Sequence, residues 1–434
     1  MPPLDGSAIS GANRFTPETP GFLFLQGPVG PFFSELAQCL ADDGFKVHRI
    51  NFNGGDRVSW KLKNAIDFRE SIEAWPTFLD RHLRQWAITD VLLFGDCRPL
   101  HRVAIGLLKS RNIRVHVFEE GYLRPHWITM EQGGVNANSS LPRDIHEYRN
   151  AMMAEPAVDA HLDVSGTYSD RARHDVIYHL GLLLWSWRFS QYQSHKPWPA
   201  AVEYKAGARR FFRRRGEQKN ARLQLMKILE STAPVYLFPL QLDADSQVRF
   251  HSGFNNMRHA IQQVVDSFKK HAPTSSILVL TEHPLDNGVT DLRQATKEIA
   301  DAAGLSDRIV FLEGGSPPEL LKRAAAMVTV NSTIGLQMLM QGLPVHVMGT
   351  AIYNLASLTH QNGLDSFWSA PQHPCMDSVN AFTSVVRQRT QINGSFFGAE
   401  GRYLAAQTAA KALINGHPPS DLLDKHITIE MEAA

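Results

Sequence analysis

Short apolar runs separated by polar, Gly- and Pro-rich loops set the rhythm of this chain. Phe22–Leu25 predicts a strand, and the loop Gln26-Gly27-Pro28-Val29-Gly30-Pro31 follows it. Phe32, Leu36 and Leu40 then recur at helical spacing. Lys46–Phe52 predicts a second strand, ending at Asn53-Gly54-Gly55-Asp56. Val91–Phe94 predicts a third, ending at Gly95-Asp96-Cys97-Arg98-Pro99, and a helical segment from His101 leads into a fourth, Ile113–Phe118. The pattern restarts with strands expected at Val235–Phe238, Ile277–Leu280, Ile309–Leu312, Met327–Val330 and Val345–Met348, with helices between them. Strand and helix in alternation, joined by short loops, predict an α/β protein with largely parallel sheets.

Two such units imply two Rossmann-like domains facing a cleft. The expected divisions are a polar leader over 1–20, a first unit over 21–175, a helical linker with a basic segment over 176–230, a second unit over 231–390 and a helical tail over 391–434. The stretch from about 140 to 230 has an irregular pattern. At 434 residues the length also favours two cores over one.

Composition narrows the function. A hydrophobic content of 43%, a charged content of 20% and a net charge of +1 describe a globular protein, without the strongly basic face of a general nucleic-acid binder. Cys39, Cys97 and Cys375 form neither a disulfide framework nor a zinc pattern, so a reducing, cytoplasmic compartment is expected. The leader lacks an apolar signal core, and Tyr178–Trp187, the most apolar stretch, is about half the ~20 residues that a membrane helix needs. The expectation is a soluble protein, attached at most to a membrane surface.

The candidate chemistry lies where predicted strands stop, the edge at which open α/β sheets bind ligands. Glu119 and Glu120 open the block Glu-Glu-Gly-Tyr-Leu-Arg-Pro, which ends at Pro125, directly after the fourth strand. Asn331-Ser332-Thr333-Ile334-Gly335 turns a strand into a helix whose free N–H groups suit an anion, with Gly335 allowing close approach; an ordinary helix cap is the competing reading. His283-Pro284 ends another strand and suits a phosphate oxygen, although lone loop histidines are commonly solvated. In Gln241-Leu242-Asp243-Ala244-Asp245-Ser246-Gln247 three readings stand side by side: a metal-binding acid pair, a turn, or a single carboxylate nucleophile. Arg98 and Arg124 follow strand ends and could clamp a carboxylate. Arg209, Arg210, Arg213, Arg214 and Arg215, interleaved with Phe211 and Phe212, form a basic segment suited either to an anionic membrane or to a solvated helix. No Walker loop, G-x-G-x-x-G, H-E-x-x-H or G-x-S-x-G occurs in these contexts.

Taken together, the Gln26-Gly27-Pro28 loop, Gly95-Asp96-x-Arg98, Glu119 through Pro125, Gln241 with Asp245-Ser246-Gln247, His283-Pro284 and Asn331-Ser332-Thr333-x-Gly335 resemble the capsule-polysaccharide Kdo transferases of the KpsS/LipB type. The resemblance implies a GT-B fold with an N-terminal acceptor domain and a C-terminal CMP-donor domain. It implies transfer of β-linked Kdo, an acidic eight-carbon keto sugar, from CMP-Kdo to a lysophospholipid such as lysophosphatidylglycerol, with retention of configuration. The family builds a poly-Kdo linker at the cytoplasmic face of the Gram-negative inner membrane, so that membrane surface and the capsule biosynthesis and export machinery are the expected partners, with no metal or other cofactor. By the same resemblance Asp245 is the expected nucleophile and Glu120, or Glu119, the base for the acceptor hydroxyl. Acid pairs elsewhere in the superfamily often read Glu-Asp, so the roles of Glu120 and Asp245 could be exchanged. His283, Ser332 and Thr333 are expected on the CMP phosphate, and Arg98 or Arg124 on the Kdo carboxylate. A different donor such as a UDP-hexose, or a non-catalytic export scaffold, would use the same fold.

Overall fold

The apolar runs assemble into two separate sheets. The computed structural model describes residues 20–154, 161–164, 166–194, 198, 200–243, 248–249, 252–286 and 288–416. The first sheet gathers β1 (Gly21–Phe24), β2 (Lys46–Asn51), β3 (Ala65–Asp67), β4 (Asp90–Phe94), β5 (Arg114–Glu120) and β6 (Trp127–Gln132). Helices α1 (Phe32–Asp42), α2 (Gly54–Ser59), α3 (Trp75–Gln85) and α4 (Pro99–Ser110) connect the parallel strands. α1 forms because Phe32, Phe33, Leu36, Ala37 and Leu40 fall on one buried face. α2 starts where the Asn53 side chain accepts the Asp56 N–H at 2.9 Å.

Three helices cross to the second unit: α5 (Ile145–Ala154), α6 (Tyr168–Leu184) and α7 (Ala200–Glu230). The stretch that reads as irregular in sequence is therefore largely helical where described. α6, started by a Thr167/Asp170 capping box, runs through the division expected at 175. The second sheet contains β7 (Val235–Pro239), β8 (Ile277–Thr281), β9 (Ile309–Leu312), β10 (Ala326–Thr329) and β11 (Val345–Val347). They alternate with α8 (Met257–His271), α9 (Leu292–Ala303), α10 (Pro318–Arg323) and α11 (Thr333–Met340); α12 (Leu364–Phe367) and α13 (Met376–Thr390) follow. The chain then returns: β12 (Gln391–Asn393) joins the first sheet and α14 (Ala399–Asn415) packs beside α1.

Strand order is β12-β6-β5-β4-β1-β2-β3 in one sheet and β11-β10-β7-β8-β9 in the other. The second is parallel throughout; in the first, β6 and β12 are antiparallel additions at one edge. Each order reverses beside its first strand, at β1/β4 and at β7/β10. Those switch points open crevices at the carboxyl ends of the strands. The molecule is thus GT-B-like, with two Rossmann-like units. Among the described residues no helix is long and apolar enough to cross a membrane.

Candidate active site

Three adjacent strand ends build the N-terminal half of the site. Gln26 follows β1, Gly95–Arg98 follows β4, and Glu119 and Glu120 end β5. The carboxylates do not lie beyond the strand as expected. β5 continues through both, because β6 pairs antiparallel with it, Glu119 opposite Thr129 and Glu120 opposite Ile128. Successive strand residues face opposite ways, so the two acids point apart. The Glu119 carboxylate accepts the N–H of Glu120 at 3.1 Å, and a Cβ added to Gly95 would lie 3.5 Å from its Oε2. Glu120 instead pairs with Arg171 of α6 at 3.2 Å.

Several expected ligand groups turn out to brace loops. Asp96 is buried and accepts from the Val135 N–H at 3.1 Å and Asn138 Nδ2 at 3.0 Å, so it ties the β4 loop to the turn after β6. A Cβ at Gly27 would meet the Phe33 ring at 2.7 Å; its lack of a side chain serves packing. Pro28 is buried in the same loop. Buried Gln26 donates to Tyr178 at 3.0 Å. Arg98 lies over the Phe94 ring, 5.3 Å from its centroid, and lines a cavity of about 80 Å³ with Gln26, Phe52, Phe68, Leu100 and Tyr192. The cavity joins a guanidinium to mostly apolar walls.

The C-terminal half also uses three neighbouring strand ends. Gln241 after β7 donates to Asn331 Oδ1 at 2.9 Å and accepts the Asn331 N–H at 3.2 Å. This buried pair locks the β7 and β10 ends together at the switch point. Asp243 accepts the Met257 N–H at 2.7 Å, a turn-closing role. Asp245 and Gln247 lie outside the described residues. Ser332 caps α11, and its carbonyl accepts from the Tyr353 hydroxyl. A Cβ at Gly335 would stand 2.5 Å from that hydroxyl, so the glycine admits Tyr353. Thr333 opens the helix beside Ser332.

His283 follows β8, with Pro284 packed near Gly315. The Leu285 N–H donates to its Nδ1 at 3.1 Å, so the neutral ring carries its proton on Nε2. Burial, reinforced by Arg124, Arg171 and Arg210, lowers its pKa from 6.5 to about 4. Arg124 follows β5 and Arg171 lies on α6, so their charges reach His283 from outside the second sheet. Arg210 of α7 also grips Glu282 at 2.7 and 3.0 Å. Of this cationic group only Arg124 stands out in the sequence. Arg171 sits in the irregular stretch, and Arg210 is one of several arginines in a run.

Among the described residues His126, His161 and Asp163 place one ligand atom each within 4.8 Å of one another. Asp163 is largely exposed, and such polar surface groups commonly cluster without an ion.

The two sheets and their switch points define a GT-B-like protein. Residues 89–397 match the model of the capsule polysaccharide biosynthesis protein family, and the chain belongs to that family. It is 37% identical over 380 residues to the capsule polysaccharide export protein KpsS of Escherichia coli, covering 87% of this chain and 96% of that protein. It is 34% identical over 382 residues to the capsule polysaccharide modification protein LipB of Neisseria meningitidis serogroup B, covering 86% and 91%. A solved structure titled Thermosulfurimonas dismutans KpsC, beta Kdo 2,7 transferase, aligns over 91% of this chain and 99% of that one, with 12% identity and a TM-score of 0.43.

Proposed function

We propose that this protein is a retaining β-Kdo transferase that moves Kdo from CMP-Kdo to a lysophospholipid, lysophosphatidylglycerol, at the cytoplasmic face of the inner membrane. The product would begin the poly-Kdo linker of a capsule polysaccharide. The observation that carries this reading is the surroundings of His283, a neutral Nε2–H donor influenced by Arg124, Arg171 and Arg210, with Arg171 also paired to Glu120 at 3.2 Å. CMP-Kdo brings a phosphate and a sugar carboxylate together, and this group of cations suits both.

In this reading Asp245 attacks the anomeric carbon as the bond to the CMP phosphate breaks. CMP departs with the electron pair, its charge stabilised by His283 and the Ser332/Thr333 helix start. Glu120, oriented by Arg171, then takes the proton of the acceptor hydroxyl as its oxygen displaces the carboxylate. Two inversions give net retention. Arg98, Arg124 or Arg171 neutralises the Kdo carboxylate, and no metal or other cofactor takes part.

The test is incubation with CMP-Kdo and a short-chain lysophosphatidylglycerol, with product analysis and intact-protein mass spectrometry. A β-Kdo product lost in Asp245→Asn, Glu120→Gln and His283→Ala supports the reading, and a trapped sugar adduct identifies the nucleophile. Folded protein that binds CMP yet gives neither product nor adduct overturns it.

A further inference from the structure

Helix α6 packs one face, centred on buried His174 and Gly181, against the fold and leaves the other bare. Its inner face fits flush on α2 through a glycine pair: a Cβ at Gly181 would lie 2.7 Å from the Gly54 carbonyl oxygen. Tyr178 of the same face accepts from Gln26 at 3.0 Å and Asn53 at 2.9 Å. The outer face carries Val176, Ile177, Leu180, Leu183 and Leu184 at three- and four-residue intervals, with Trp187 just beyond. They are 59%, 47%, 52%, 61%, 69% and 70% exposed. Isolated exposed leucines need no explanation, but a continuous stripe on one helix marks an interaction surface.

Charge selects the occupant. Trp187 stacks on Trp185 at 6.3 Å, and the Arg57 guanidinium, paired with Asp67, lies 4.4 Å from the Trp185 ring centroid, an aromatic end to the stripe. Farther along, apart from Arg210 in the cleft, 205–222 holds seven Lys and Arg against one Glu, in a chain whose net charge is +1. Two copies meeting through this region would bring like charges together, whereas a surface of lipid phosphates would neutralise them. An amphipathic helix lying in the plane of the bilayer would bury such a stripe among the acyl chains.

We propose that α6 lies in the plane of an anionic bilayer, its Val176–Trp187 stripe among the acyl chains and the Arg213–Arg215 stretch of the basic segment against the headgroups. The inference rests on the proposed function for which membrane this is, but not for the contact itself. The cavity at Arg98 adjoins this region, since Gln191–Ser194, four residues beyond Trp187, form part of its wall. A lipid acceptor would thus reach the strand ends without crossing water.

The test uses the full chain in flotation with vesicles of phosphatidylethanolamine plus phosphatidylglycerol, and of phosphatidylcholine alone. Wild type should float with the anionic vesicles. Leu180→Gln with Leu184→Gln should weaken that binding about tenfold or more, with an unchanged melting temperature because both side chains are exposed. Arg213, Arg214 and Arg215 to Ser should remove the preference for anionic lipid and its salt sensitivity. Turnover of a short-chain acceptor dissolved in buffer should persist in both variants. Undiminished flotation of the Leu variant overturns the proposal. So does a wild-type dimer that this variant converts to monomer, which would make a second copy the occupant. Vesicle binding lost in the variants of a chain that shows no transferase activity would sustain the docking surface while the transferase reading falls.

Discussion

His283 owes its behaviour to place more than to residue type. Desolvation first, then three arginines, hold it neutral down to about pH 4, and the Leu285 N–H fixes the proton on Nε2. A group with that tautomer donates one hydrogen bond and does not need to titrate. His283→Ala should therefore lower transfer about 10²-fold or more, while His283→Gln, which keeps a neutral N–H, should recover part of it. Rate against pH should show no limb near 6.5 belonging to this residue; such a limb, absent in His283→Gln, would refute the neutral-donor role. Its depressed pKa also adds stability above pH 6.5 that is lost as pH falls through about 4.

Glu131 works in the opposite direction. It is buried beneath the Tyr122 hydroxyl at 2.7 Å, and burial raises its pKa from 4.5 to about 7 against the lowering effect of Ser139 and Tyr122. A carboxyl raised in this way contributes stability that is full below pH 4.5 and lost as pH rises through about 7. Thermal melts across that window should show wild type losing up to about 3 kcal/mol, and Glu131→Gln should flatten the slope. An unchanged slope in the variant would assign the pH dependence to other groups.

At the scale of the element, most parallel strands were legible because they carry a short buried apolar run, β1 and β7 most clearly, whereas half-buried Ala65–Asp67 of β3 carries none. β6 and β12 escaped notice for physical reasons. Trp127–Gln132 buries polar Thr129 and Glu131 with its apolar residues and so shows no alternation, and β12 is three residues long with two amides. That omission hid the continuation of β5 through Glu119 and Glu120. Within the site, residue type announced the strand-end His and acids. It could not separate ligand groups from braces, because Asp96, Gln241 and Asn331 are distinguished only by partners far away in sequence. The α2/α6 contact is a further example, since nothing in the sequence pairs Gly54 with Gly181. Gly181→Ala should force the two helices apart and cost about 1–3 kcal/mol, even though alanine has the higher helix propensity. A calorimetric melt equal to or above wild type would mean that the contact yields without strain.

For the whole molecule, the returning C-terminal segment is the element that makes two units one object. α13 packs Val379, Phe382, Val385 and Val386 into the same cluster as Tyr122, Leu123 and the second sheet, and the next residue, Gln391, enters the first sheet. Fully buried Gln391 accepts from the N–H groups of Tyr122 at 3.0 Å and Leu123 at 3.2 Å, and donates to Thr129 at 3.0 Å. One side chain thus holds the loop directly after Glu119 and Glu120. Gln391→Ala leaves two buried N–H donors unsatisfied, each worth about 1–3 kcal/mol, so the melting temperature should fall by several degrees. If the amide also positions the acids, hydrogen exchange should quicken in β5 and β6, and transfer should fall through kcat with KM for the donor little changed. Gln391→Glu separates packing from donation: it retains an acceptor for both N–H groups while losing the NH₂ that reaches Thr129. Recovery of both stability and kcat in that variant would assign the effect to the Tyr122 and Leu123 contacts. A normal kcat in the destabilised Ala variant would confine Gln391 to folding and leave the acids positioned by β6 alone.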